Sequence, residues 1–137
     1  MKNTIRKPRL YLYMSLPSIF IWLFILIGVS FEAVKDGPLL IIIPILVFAP
    51  FVLTFIYLTL LQLNWKIEVN KDNILYQSWL RKKHLFKMND VVVVHRPNKK
   101  GTVKFYLYCN GKKFTTVSMF DTNMELVFEF KNQQIIL

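Results

Sequence analysis

The sequence predicts a membrane-embedded α-helical hairpin followed by an α+β domain, in which about six short antiparallel strands form a bent sheet or small barrel capped by a C-terminal helix. Three observations predict it. Two long uncharged apolar runs fill the chain between Leu10 and Leu63. Beyond Asn64 the apolar residues change from continuous to alternating, the period of half-buried strands. Turn and capping signals then punctuate the rest of the chain.

Composition agrees with this division. The 137 residues are 54% hydrophobic, more than an ordinary soluble domain carries, and the excess lies before Asn64. The part from Asn64 to Leu137 is 74 residues long, close to the size at which a lone hydrophobic core is marginal, so support from a membrane or partner is expected. The net charge of +10 divides into +4 in the first nine residues, −1 between the apolar runs and +7 after them. Such a balance suits anionic partners, lipid head groups before nucleic acid. The single cysteine, Cys109, excludes an internal disulfide and a multi-cysteine metal site within one chain.

Residues 1–9 read as a basic tail with Lys2, Arg6, Lys7 and Arg9. Residues 10–31 read as the first transmembrane helix: Leu10 to Val29 holds 20 residues without a charge, and at about 1.5 Å per residue it spans a hydrocarbon core. Residues 32–37 form a short polar loop with one basic residue, Lys35. The run 38–63, uncharged over 26 residues, crosses back, with Pro44 and Pro50 predicting a bend. Tyr11, Tyr13, Trp22, Tyr57 and above all Trp65 are the rings expected near head groups. Four basic residues before the first helix against one in the loop predict a multi-pass protein of the cell membrane with both termini cytoplasmic. A cleaved signal peptide is the competing reading of the first thirty residues, but the apolar run is long for one and no small-residue cleavage site follows.

Residues 64–137 are read as a cytoplasmic domain. Trp65 to Val69 alternates, Asn70 to Asn73 turns, and strands follow at Ile74 to Leu80, His84 to Met88 and Val91 to His95. Asn110-Gly111 suits both central positions of a type I′ hairpin turn, which need positive φ. A two-residue loop sets Cys109 opposite Lys112, Leu107 opposite Phe114 and Phe105 opposite Thr116, so Val103, Phe105, Leu107 and Phe114 share the expected core face with a buried Cys109. Tyr106 and Tyr108 then face outward beside Lys104 and Lys113. Thr122-Asn123-Met124-Glu125 matches a capping box and predicts about ten residues of amphipathic helix, Asp121 and Glu125 lying at its start.

This order, with Trp65 to Val69, the strand from Asp72 to Leu80 with its Arg81-Lys82-Lys83 turn, Leu85 to Val94 around Asn89-Asp90, and a final helix, resembles bacterial membrane proteins that carry a pleckstrin-homology-like domain. The resemblance implies a bent antiparallel barrel capped by a helix and acting as a binding platform beside the membrane. The chain departs from that pattern in showing six clear strands where the fold usually has seven. Its first hairpin loop holds only Lys71, without the basic spacing of phosphoinositide-binding relatives.

Candidate lipid- or partner-binding residues are Arg81, Lys82, Lys83, Lys99, Lys100, Lys112 and Lys113, all at strand ends or turns, with the outward Tyr106 and Tyr108. Solubilised loops and blunted sheet edges are the plainer explanation of such lysines. His84 and His95 fall on separate strands without partners at metal-ligand spacing, and no glycine-rich phosphate loop, serine elbow or acid pair is present. The expectation is a non-enzymatic binding module without cofactor or metal. Its expected partners are anionic inner-leaflet lipids and a protein partner or second copy; nucleic acid is not expected. The alternative is a small accessory or immunity-type subunit acting through its transmembrane helices.

Overall fold

A computed structural model describes residues 3–136. They divide into two units, one of helices spanning Arg9–Leu63 and one of strands comprising Met1–Pro8 with Asn64–Leu137.

The helical unit contains α1 (Leu10–Asp36) and α2 (Ile42–Asn64), joined by Gly37 and a 3-10 turn at Pro38–Ile41. Both helices are long and apolar enough to cross a membrane. Their side chains are mostly exposed, with Phe20, Phe24, Phe31 and Leu46 among the barest. Pro44 lies in the first turn of α2, where its missing N–H leaves no helical bond unmade, whereas Pro50 stands inside the helix. Four residues on, Thr54 Oγ1 donates to the Pro50 carbonyl at 2.7 Å, a side-chain bond back onto the preceding turn. Polar and aromatic contacts join the helices, with the Trp22 and Phe48 ring centroids 6.0 Å apart. Thr59 Oγ1 donates to Ser15 Oγ at 2.9 Å in a buried position, and Trp22 stacks on Phe51 with ring centroids 4.7 Å apart.

The strand unit has eight strands in two four-stranded sheets, β1 (Thr4–Arg6), β2 (Lys66–Val69), β3 (Asn73–Gln77), β4 (Lys83–Lys87), β5 (Val91–Pro97), β6 (Val103–Cys109), β7 (Lys112–Ser118) and β8 (Asn132–Ile135). The first sheet runs β1-β2-β3-β4 and the second β7-β6-β5-β8. All pairings are antiparallel except β5 with β8. Between them lie Ile5, Trp65, Ile67, Val69 and Ile74 from the first sheet and Val91, Val93, Phe105, Leu107 and Val117 from the second, all buried. Each such side chain withdrawn from water contributes about 1.5–3 kcal/mol. Successive β7 residues touch the first sheet and the residues adjoining its strands: Phe114 packs on Phe86 of β4 and Tyr76 of β3, Thr115 accepts from Nε1 of Trp65 just before β2, and the Thr116 carbonyl faces Nζ of Lys7 just after β1. β7 therefore runs across the first sheet's strands.

Several expectations are corrected. The basic tail is more than a tail: Thr4–Arg6 pairs along β2, with Ile5 opposite Ile67 and fully buried. Trp65 is a core residue, 3% exposed, and not an interfacial ring. Among the described residues the two sheets do not close into a barrel and no C-terminal helix forms. Only a six-residue 3-10 stretch, Met124–Glu129, forms before β8. The capping box fails because the Thr122 backbone is already committed, its N–H donating to Arg6 O and its carbonyl accepting from Arg6 N at 2.8 and 3.2 Å. Asn123 adopts the left-handed conformation at φ 57° instead. The Gln133 side-chain amide then donates to the Phe128 and Phe130 carbonyls, ending the 3-10 stretch.

The hairpin at Asn110-Gly111 has the expected positive φ at both positions and the expected Cys109–Lys112 pair. A bulge between Leu107 and Tyr108 then shifts the register by one, so Leu107 faces Thr115 and Phe105 faces Val117. Because side chains alternate with period two, this slip turns Thr115 and Val117 into the core and leaves Phe114 half-buried at its margin. Val103 and Cys109 are half-buried as well.

Candidate functional site

Two residues where the chain leaves the strand unit are bonded into it. Asn64, the last residue of α2, is buried and donates from Nδ2 to the Trp79 carbonyl at 2.8 Å. Its Oδ1 accepts from Arg81 Nε at 3.0 Å, and its backbone carbonyl accepts from Gln77 Nε2 at 2.9 Å. The β3–β4 turn is thus fastened to the helix exit. Arg81 holds φ 63°, a conformation that costs an L-residue roughly 1–2 kcal/mol, and the Asn64 bond helps hold it there. The turn is closed by Arg81 N to Ser78 O and Ser78 N to Lys82 O. Leu80 stands at its tip, 54% exposed, and Arg81, Lys82 and Lys83 follow, all exposed.

Lys7 forms the second fastening. Its Nζ donates to Asp121 Oδ2 at 2.8 Å and lies 4.2 Å from the centre of the Trp65 ring. Asp121, 5% exposed, also accepts from the Ser118 N–H. It therefore serves as the buried partner of Lys7, not as a helix-start acid. This pair secures the turn after β7, whose tip is formed by Met119 and Phe120, 40% and 61% exposed. Asn123 Nδ2 donates to the Thr4 carbonyl and completes the clasp on β1.

The outward face of the second sheet carries the tyrosines. Tyr106 has Arg96 at 5.7 Å and Lys113 at 5.5 Å from its ring centre. Tyr108 borders a shallow groove of about 320 Å³ lined with Val92, Val94, Asn110, Gly111, Gln134 and Ile136.

The sequence-predicted basic residues do not form one patch. Lys99 and Lys100 lie in the β5–β6 turn and Lys112 and Lys113 at the start of β7, hence at opposite ends of β6, seven residues or about 20 Å apart. Arg81, Lys82 and Lys83 are the group linked to a helix end. Of the topology-determining set, Lys2 lies outside the described residues, Arg6 belongs to β1, Lys7 is paired, and Arg9 is exposed beside the start of α1. Asn64 and Asp121 as anchors were not legible as a pair of fastenings, since both depend on contacts between distant segments.

His84 lies between the Tyr76 and Phe86 rings, while His95 meets Gln133 Oε1 at 2.9 Å and the edge of Phe105. Among the described residues, no group of three His, Cys, Asp or Glu side chains could hold a metal ion. Neither a curated protein nor a solved structure matches this chain. A family model does match, over residues 10–135, covering both helices and nearly all of the strand unit that follows. The chain belongs to that family, a family of unknown function designated DUF6560.

Proposed function

We propose that the chain is a membrane-anchored, non-enzymatic binding module, with two transmembrane helices holding the strand unit at the inner leaflet of a cell membrane. The observation that carries this reading is the pairing of β1 with β2. These strands flank the two helices in sequence, so both helix ends return to one β unit, as an out-and-back crossing requires. The exposed apolar side chains along α1 and α2 support a lipid environment, because such a surface in water is strongly unfavourable. The basic excess before α1 supports cytoplasmic termini.

In this reading the strand unit works in the manner of a pleckstrin-homology-like platform, with lipid contact near the helix ends and a protein partner at the Tyr106–Tyr108 face. The two four-stranded, largely antiparallel sheets support that comparison, with β8 following in the chain where a closing helix is expected. The aromatic, cation-flanked surface with its groove has the composition of protein-contact surfaces, in which tyrosine and arginine are enriched. A photo-crosslinking amino acid at Tyr108 in native membranes is expected to give a discrete adduct. Adducts arising only from helix positions such as Phe24, and none from Tyr108, would favour a subunit acting through its helices and contradict the proposal.

A further inference from the structure

We infer that the two turns fastened to the helix ends form a membrane-contact rim, with Leu80 and Phe120 entering the head-group layer of an anionic leaflet and Lys82 and Lys83 meeting its phosphates. The inference rests on the anchored reading above and specifies which surface of the strand unit the lipid takes. Three observations carry it. The β3–β4 turn is bonded to Asn64, where α2 ends, through both the Trp79 carbonyl and the Arg81 side chain. The turn after β7 is bonded through Asp121 to Lys7, three residues before α1 begins. Both tips display apolar side chains on short, closed turns: Leu80 on one, Met119 and Phe120 on the other.

Position and chemistry agree. The polar layer outside the hydrocarbon is roughly 5–8 Å deep on each side, so a turn in direct hydrogen-bond contact with a helix end lies within its reach. The apolar tip of the β3–β4 turn, followed by Arg81, Lys82 and Lys83, and the apolar tip at Met119 and Phe120 suit that layer, which takes apolar side chains at its inner boundary and holds anionic groups at its surface. The turn between β2 and β3, at Asn70–Asn73, lies at the other end of β3 and carries Lys71 and Asp72 in place of such a tip. That contrast defines a rim end and a far end of the first sheet. The outward Tyr106–Tyr108 face is then left for a different ligand.

The test uses the full chain in nanodiscs, with Cys109→Ser as background and single cysteines introduced by Leu80→Cys, Phe120→Cys, Lys71→Cys and Phe24→Cys. Each carries an environment-sensitive dye, read against iodide in water and against lipids spin-labelled near the head group or deep in the acyl chain. All four native residues are exposed, so the substitutions leave the core intact. The rim predicts that dyes at positions 80 and 120 are shielded from iodide severalfold relative to position 71 and are quenched by the shallow spin label. In discs containing phosphatidylglycerol, Lys82→Gln with Lys83→Gln is expected to reduce the shielding at position 80 toward its value in phosphatidylcholine alone. If positions 80 and 120 meet iodide as readily as position 71 while the deep label quenches position 24, the rim is refuted and the anchor stands. If position 24 itself is open to iodide and untouched by either lipid label, the anchored reading falls, and the rim with it. Shielding at position 80 that is equal in both lipids and indifferent to the lysine substitutions would refute the anionic part of the inference.

Discussion

Lys7 shows how one side chain ties the start of the chain to a domain that follows the helices. Its ammonium group is mostly buried, faces the Asp121 carboxylate and rests on the Trp65 ring, which itself donates to Thr115. Removing one member of such a pair leaves the other charge buried with too few partners, a loss of about 3 kcal/mol or more, whereas replacing both is far milder. Lys7→Met is therefore expected to lower the unfolding midpoint of the detergent-solubilised protein strongly, and Lys7→Met with Asp121→Asn to recover much of the loss. An additive double variant in denaturant titration would contradict this coupling. Gly111 gives a second residue-scale test. At φ 75°, with nothing within 4 Å of an added Cβ, the strain of Gly111→Ala comes from the backbone alone, and a loss of about 1 kcal/mol is expected in the same titration.

Among the elements, β1 matters most because its three residues precede α1 yet complete the first sheet. Ile5→Asp would place a charge in the core beside Ile67 and is expected to cost several kcal/mol and to collapse the amide dispersion of the strand unit. By the same argument, residues 64–137 alone should stay unfolded, whereas residues 1–8 joined to them by a flexible linker should give a folded protein by amide NMR.

The legibility of the elements in the sequence follows from where their signals lie. Ile67 and Val69 alternate with charged neighbours and Asn110-Gly111 names its own turn, so β2, β6 and β7 could be read locally. The bulge at Leu107 could not, because it inserts a residue relative to a partner strand. β1 is too short to show a period, and β8, exposed throughout, shows no buried face. Thr122 carries a genuine capping pattern, but Arg6, from the other end of the chain, takes its backbone first. Trp65 was legible as an aromatic beside a helix end, and only its bond to Thr115, far along the chain, reveals that it points into the core. Of the candidate site, the basic turns and outward tyrosines could be read locally, whereas the Asn64 and Lys7 fastenings depend on the tertiary fold.

For the molecule as a whole, the union of β1 and β2 in one sheet and the apolar surfaces of α1 and α2 support the organisation we propose, a hairpin that leaves the strand unit, crosses, and returns. The most direct test is cysteine accessibility in intact cells, on the Cys109→Ser background, with Asp36→Cys at the helix connection and Lys71→Cys in the β2–β3 turn. A membrane-impermeant maleimide is expected to label position 36 on intact cells and position 71 only after lysis. Labelling of both positions before lysis, or of position 71 alone, would contradict the hairpin and its cytoplasmic strand unit.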